Sequence, residues 1–200
     1  MFRSFRVAAA AATLAVGSAL TAAPAAAQQA WNFALSGATE TPPVATPGTG
    51  FGTATLTGNM LRVQASWSNL LGLTTVAHIH CCTGTPFAGT AIVATPTPSF
   101  PDFPTGVQSG TYDRTFDLTL PGSFNAAFIT ASGGTVALAA QRLIAGMNAG
   151  TAYLNIHTNL HPGGEINGFA SVVPEPGTYA LVAAGLAGIG AAARRRRQRA

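Results

Sequence analysis

The chain has 200 residues, enough for one domain of ordinary size with attached signals. Only 8% of residues are charged, against about 25% in an average soluble protein. The formal charge of +4 comes from arginines at the two ends; between them Arg62, Arg114 and Arg142 face six acidic residues, a net of −3. Such a domain has no basic surface to offset phosphate charge, which excludes nucleic-acid binding, and it offers little for charge-heavy catalysis.

The N-terminus opens with Arg3 and Arg6, continues as an apolar run from Val7 to about Leu20, and ends in small residues at Ala25-Ala26-Ala27. A positive start, an apolar middle and a small-residue exit predict a secretory signal peptide over 1–27, cleaved after Ala27. The mature chain then begins outside the cytoplasm, where disulfides are permitted.

Residues 28–172 read as one domain with eight short strands. Leu61, Val63, Ala65 and Trp67 alternate with polar residues, the period of a half-buried antiparallel strand. Phe51–Thr57 precedes it, and Gly58-Asn59 supplies a tight hairpin turn between them. Thr115–Leu120 and Ala152–His157 alternate in the same way, and weaker strands fall at Trp31–Ser36, Thr75–His80, Thr90–Ala94 and Glu165–Val172. Short strands in this number predict a mainly β, antiparallel sandwich or barrel. Two helical pieces interrupt it. Ser123–Ala131 makes one or two turns. Val136–Met147 places Val136, Ala140, Leu143, Ile144 and Met147 on one face and stops at Gly150. Prolines at 86, 96, 98, 101 and 104 make Thr83–Gly110 a long loop with one strand inside it.

All four histidines fall in two clusters, His78-Ile79-His80 and His157 through His161. On a strand His78 and His80 share a face while Ile79 points to the core. His157 lies opposite Leu154 and Ile156. Two imidazoles at i and i+2, joined by others from a second strand and its loop, suit a Zn²⁺ or Cu²⁺ site; the same rings also serve simply to hydrogen-bond loop backbone. Cys81 and Cys82 follow directly. A vicinal bridge, pairing between chains, thiolate ligation beside His80, and reduced thiols are all open to them.

Other constellations are missing. There is no G-x-S-x-G, P-loop or G-x-G-x-x-G, and Ser109 and Ser132 have no evident His/Asp partners. Asp113 and Asp117 share a strand face, the pattern of a solvent-facing edge more than of a carboxylate pair. Trp31, Trp67 and Phe51 are expected to fill the core rather than to form a sugar platform.

The C-terminal region, 173–200, places Pro174-Glu175-Pro176 before an uncharged stretch from Thr178 to Ala193 and then Arg194, Arg195, Arg196, Arg197 and Arg199. Sixteen helical residues span about 24 Å, slightly short of a bilayer core of about 30 Å, and extension to Pro176 with a snorkelling Arg closes the gap. The arginines predict a cytoplasmic tail. This tail resembles the PEP-CTERM sorting signal of Gram-negative bacteria. The resemblance implies a transient inner-membrane anchor, a membrane-embedded sorting protease as partner, and an exopolysaccharide-producing host.

The domain itself resembles the CHRD family. The segment from Phe33 through Glu40 to Val44, the middle Ala77-His78-Ile79-His80, and the end Tyr153 to Thr158 with His161-Pro162-Gly163-Gly164-Glu165-Ile166-Asn167-Gly168 carry the likeness, in that order. The family more usually has Arg at position 167 and a Gly-containing turn at 81–82. The resemblance implies an immunoglobulin-like or copper–zinc-superoxide-dismutase-like sandwich. A dismutase needs six histidines and an aspartate across two metals, more than four histidines supply. The sequence reading is therefore an exported, surface-sorted, non-enzymatic module of the cell surface or matrix. Its alternatives are a mononuclear copper or zinc protein using His78, His80, His157 and His161, with Cys81 and Cys82 as lesser candidates, or a carbohydrate-binding module.

Overall fold

The computed structural model describes residues 28–174, 183–189, 194, 197 and 198. The signal peptide and its cleavage point after Ala27 lie outside the described residues, as do Glu175, Pro176, Arg195, Arg196 and Arg199. Residues 183–189 are helical; the remainder of the expected span, 178–182 and 190–193, is likewise outside. No helix among the described residues is long and apolar enough to cross a membrane.

Seven strands and two helices build the domain: β1 (Gln28–Ser36), β2 (Thr49–Thr57), β3 (Met60–Ser68), β4 (Thr74–Cys81), β5 (Gly110–Asp117), α1 (Ala126–Ala131), α2 (Val136–Asn148), β6 (Ala152–Thr158) and β7 (Ile166–Val173). The strands pair antiparallel in one sheet of order β4-β6-β7-β1-β2-β3-β5. The expected class, mainly antiparallel β with short helices, is the one adopted. The sheet curls. Gly52 on β2 has no side chain, and a Cβ there would come within 2.8 Å of Leu154 on β6, three strands away in the sheet, and 3.4 Å of Phe33. Trp31, Phe33, Leu61, Val63, Ile79, Leu154, Ile156 and Ile166 fill the inside of the curl, each almost wholly buried. A fully buried side chain of this size contributes about 1.5–3 kcal/mol.

Four expectations change. Thr90–Ala94 is not a strand; only Val93 bridges His80, because Gly89 and the following prolines leave no room for a ladder. β5 stops at Asp117, not Leu120. The Asp117 carboxylate accepts from the Thr119 amide (2.9 Å) and hydroxyl (2.7 Å), which turns the chain. Phe51 is 49% exposed, since Gly52, Ala54 and Leu56 take the inward positions of β2. The fully buried face of α2 is Ala139, Leu143, Gly146 and Met147, while Val136, Ala140 and Ile144 pack at its margin.

α2 starts where Thr135 Oγ1 accepts from the Leu138 amide, and α1 where Asn125 Oδ1 accepts from the Ala127 amide. β5 is the exposed edge, and its Asp113 pairs with Arg62 and Gln64 of β3 at 2.5 to 3.1 Å, as an edge protected by charge requires.

The loop 41–48, the β3–β4 turn and the β6–β7 turn meet at one carboxylate. Glu165, fully buried, accepts from the Thr46 hydroxyl (2.7 Å), the Leu71 amide (2.6 Å), the Gly72 amide (3.0 Å) and the Thr158 hydroxyl (2.8 Å). Burial alone would raise its pKa, but these donors outweigh burial and hold it below the usual range. Glu165→Ala strands four donors and should lower the unfolding free energy by about 3 kcal/mol or more in urea titration at pH 7. Because the folded pKa is depressed, the advantage of Glu165 over Ala should shrink as pH falls below about 4.5.

Candidate metal centre

β4 and β6 pair with His78 opposite Asn155 and His80 opposite Tyr153, while His157 faces Val76. Directly opposed residues share a sheet face, so His78, His80, Tyr153, Asn155 and His157 all stand on the side away from Ile79, Leu154 and Ile156. The long loop 82–109 and the β6–β7 turn cover that side. His78 and His157 are buried and His80 is half-buried.

One nitrogen of each ring meets a backbone carbonyl: His78 Nε2 with Pro98 O at 2.6 Å, His80 Nδ1 with Ala91 O at 2.9 Å, and His157 Nδ1 with Pro162 O at 2.8 Å. A carbonyl can only accept, so each of these nitrogens carries the proton. Burial depresses all three pKa values, His80 to about 4, and the neighbouring imidazoles lower His78 and His80 further against the opposing pull of the carbonyls. The rings are therefore neutral at pH 7, and the second nitrogen of each is a bare lone pair. Those nitrogens, His78 Nδ1, His80 Nε2 and His157 Nε2, are buried without any hydrogen-bond partner. The cluster places ligand atoms of the three residues within 4.8 Å of one another. Imidazoles about 2 Å from a shared ion have nitrogens at most about 4 Å apart, so an ion would draw the rings in by a fraction of an ångström to about one. The ring centroids lie 5.4 to 6.0 Å apart, with His78 edge-on to both others.

The remaining sequence candidates sit elsewhere. His161 is not in the cluster; its backbone closes the β6–β7 turn, where its carbonyl accepts from Gly164 and Thr158. Cys81 and Cys82 are bonded to each other and rest against Gly146 of α2, so neither is a thiolate ligand in this arrangement. Tyr153 was not singled out by sequence. Its ring stacks on His80 at 4.8 Å and 6°, and its hydroxyl accepts from the amide of Ala91, the residue whose carbonyl holds His80. Exposed Phe87 meets Phe169 at 70°, so these rings form no coplanar platform for a sugar.

A second buried group shares this face. Glu40, 7% exposed, receives one hydrogen bond from Asn167 Nδ2 (3.1 Å), and its Oε1 has no partner; nor have Asn155 Oδ1 and Asn167 Oδ1. Gly164, at φ +127°, makes the room: a Cβ there would lie 2.5 Å from both Asn155 amide atoms and 2.6 Å from Glu40 Oε1. No sequence pattern distinguishes this carboxylate from Glu165, because the difference lies in how many donors reach each.

A family model for the CHRD domain matches residues 31–170, and one for the PEP-CTERM protein-sorting motif matches residues 172–197. No curated protein and no solved structure matches the chain.

Burial raises the Glu40 pKa to about 7, against the smaller lowering effect of Asn167. A folded pKa above the unfolded one gives a stability contribution that is full below about pH 4.5 and lost as pH rises through about 7. Glu40→Gln, which cannot ionise, should therefore gain on the wild type between pH 5 and pH 8 by up to about 3 kcal/mol. Paired urea melts at the two pH values check this; a constant difference would mean that Glu40 is ionised throughout.

Proposed function

The chain belongs to the CHRD-domain family, and from its three-imidazole cluster we propose that the domain is a mononuclear copper- or zinc-binding module. The sorting motif marks an exported protein recognised by a membrane processing system. In this reading the module passes a sorting protease of the inner membrane at Pro174-Glu175-Pro176 and works at the cell surface or in an extracellular matrix containing polysaccharide.

The observation that carries the reading is the set of three buried, unpartnered lone pairs. An unpaired buried polar atom costs about 1–3 kcal/mol, and three within reach of one point make a costly arrangement that a single cation relieves. The residues fit such an ion. All three donors are neutral imidazoles, a set that suits Zn²⁺ and Cu²⁺, with copper the tighter by the usual order of divalent ions. Each ring is held in its ligating tautomer by a carbonyl, the arrangement that orients metal-bound histidines generally. Three protein ligands leave a further coordination position for water or a small anion. When bound, the ion supplies Lewis-acid chemistry or, as copper, one-electron chemistry.

Protein purified from an exporting host without a polyhistidine tag should take up one Cu²⁺ or Zn²⁺ per chain, measured by elemental analysis and competition with a chelator. His78→Ala, His80→Ala and His157→Ala should each weaken binding at least tenfold, and His161→Ala should leave it unchanged. Failure of the wild type to bind either ion below micromolar concentration would return the histidines to holding loop backbone.

A further inference from the structure

The vicinal disulfide stands where it can report on the ligand set. Cys81 is the next residue after His80, and the two sulfurs lie on the opposite face of β4, pressed into α2 at Gly146. A Cβ at position 146 would fall 2.3 Å from Cys81 Sγ and 2.8 Å from Cys82 Sγ, and the carbonyl oxygen of Arg142 is 3.8 and 3.6 Å from the same atoms. A side chain at position 146 would have no room there. Bonded sulfurs are about 2 Å apart, whereas non-bonded heavy atoms keep about 3.5 Å or more, so on opening the half-buried Cys82 can turn outward while the buried Cys81 sulfur, held against α2, moves the end of β4.

The end of β4 is also tied to the histidine it carries. The Cys81 amide donates to the Ile92 carbonyl at 3.0 Å, and the residue before Ile92, Ala91, supplies the carbonyl that holds His80 Nδ1 and the amide that meets Tyr153. Thr83, on the other side of the bridge, donates its amide to the carbonyl of Thr151, the residue before β6. A shift at Cys81–Cys82 therefore reaches His80 by two routes, through the chain itself and through the 91–92 segment.

We propose that the Cys81–Cys82 bridge is a redox control on the three-histidine centre: closed, it holds His80 in ligating position, and opened by a dithiol it weakens metal binding. The proposal rests on the metal reading above and adds its regulation. Cys81 is fully buried and Cys82 half-buried, which sets the direction of attack. A thiolate of the external dithiol attacks Cys82 Sγ; the Cys81–Cys82 bond breaks, Cys81 leaves as thiolate and takes a proton. The second thiol of the reductant then displaces Cys82, which takes a proton in turn. Two electrons pass to the protein and the reductant departs as its own disulfide. Linkage is reciprocal, so a metal bound more tightly by the bridged form must make that bridge harder to reduce.

Zn²⁺ is the probe because it does not itself oxidise thiols. The bridged wild type and the Cys81→Ser/Cys82→Ser double variant are titrated with Zn²⁺ against a chromogenic chelator, with circular dichroism to confirm folding. The variant should bind at least tenfold more weakly; affinities within twofold of each other overturn the proposal. The second measurement needs no variant. The midpoint potential of the bridge in dithiothreitol buffers should fall by about 30 mV or more with saturating Zn²⁺, the equivalent of that tenfold for two electrons. An unchanged or raised midpoint overturns the proposal even if the variant does not fold. Wild-type protein that binds Zn²⁺ but shows neither effect sinks the control while leaving the metal centre standing. Wild-type protein that binds no Zn²⁺ removes both.

Discussion

Three hydrogen bonds from imidazole to backbone carbonyl set the chemistry of the covered face of β4 and β6. Each fixes a proton on one nitrogen and so turns the other into an acceptor with nothing to accept from. A histidine that serves only to pin a loop needs no more than its one bond, and its second nitrogen is normally wetted or paired. Here three second nitrogens are buried and without a protein partner, and ligand atoms of the three rings lie within 4.8 Å of one another. The depressed pKa values matter for the same reason: protonation would relieve the isolation of each ring, and burial opposes it.

The two buried glutamates show that the domain is able to satisfy polar groups where it does so. Glu165 collects four donors from three chain segments and acts as a structural clasp. Glu40, held a short way off on the imidazole side of the sheet, has one donor and an idle oxygen. Among the described residues, six of the seven buried side-chain atoms without a partner belong to this face of β4, β6 and β7 or to Glu40 beside it; the seventh is Trp67 Nε1 on β3. Unpaired buried polar atoms gathered in one place call for a partner, which an ion or ordered water supplies.

Much of this was legible beforehand. Period-two alternation located β3, a half-buried strand, and β6, whose apolar and polar residues alternate although both its faces are covered, and Gly58-Asn59 located the turn before β3. The His-x-His spacing put two rings on one face by the same period, and the ladder between β4 and β6 supplied the third. What could not be read was which of the remaining histidines would join. His157 lies within a strand, whose pleat dictates its direction, whereas His161 lies in a turn, whose direction depends on tertiary contacts. Nor could alternation foresee that Gly52 would turn Phe51 outward, or that Cys81 and Cys82 would bond to each other, since both follow from what packs against the chain and not from the chain's own period.

The long loop after β4 gains its meaning from the edge it covers. β4 is last in the sheet and would expose unpaired backbone groups, a standing invitation to another strand. The loop answers each in turn. Ile92 O accepts from the Cys81 amide, Ala94 and Thr95 donate to Ile79 O, Phe100 donates to Ala77 O, and Thr74 exchanges amide and carbonyl with Val107 and Gly106. Side chains do the rest, Thr95 Oγ1 accepting from the Ile79 amide and Ser99 Oγ from that of Ala77. Phe100 and Phe103 sink into the core to hold the loop down, and its prolines reduce the entropy lost in ordering it. A segment fixed this firmly along β4 delivers the carbonyls of Ala91 and Pro98 to His80 and His78 at set positions. Protection of a sheet edge and orientation of two imidazoles are thus one packing problem with one solution. That is why an irregular, proline-rich stretch can hold imidazoles with the definition usually supplied by a helix or a strand.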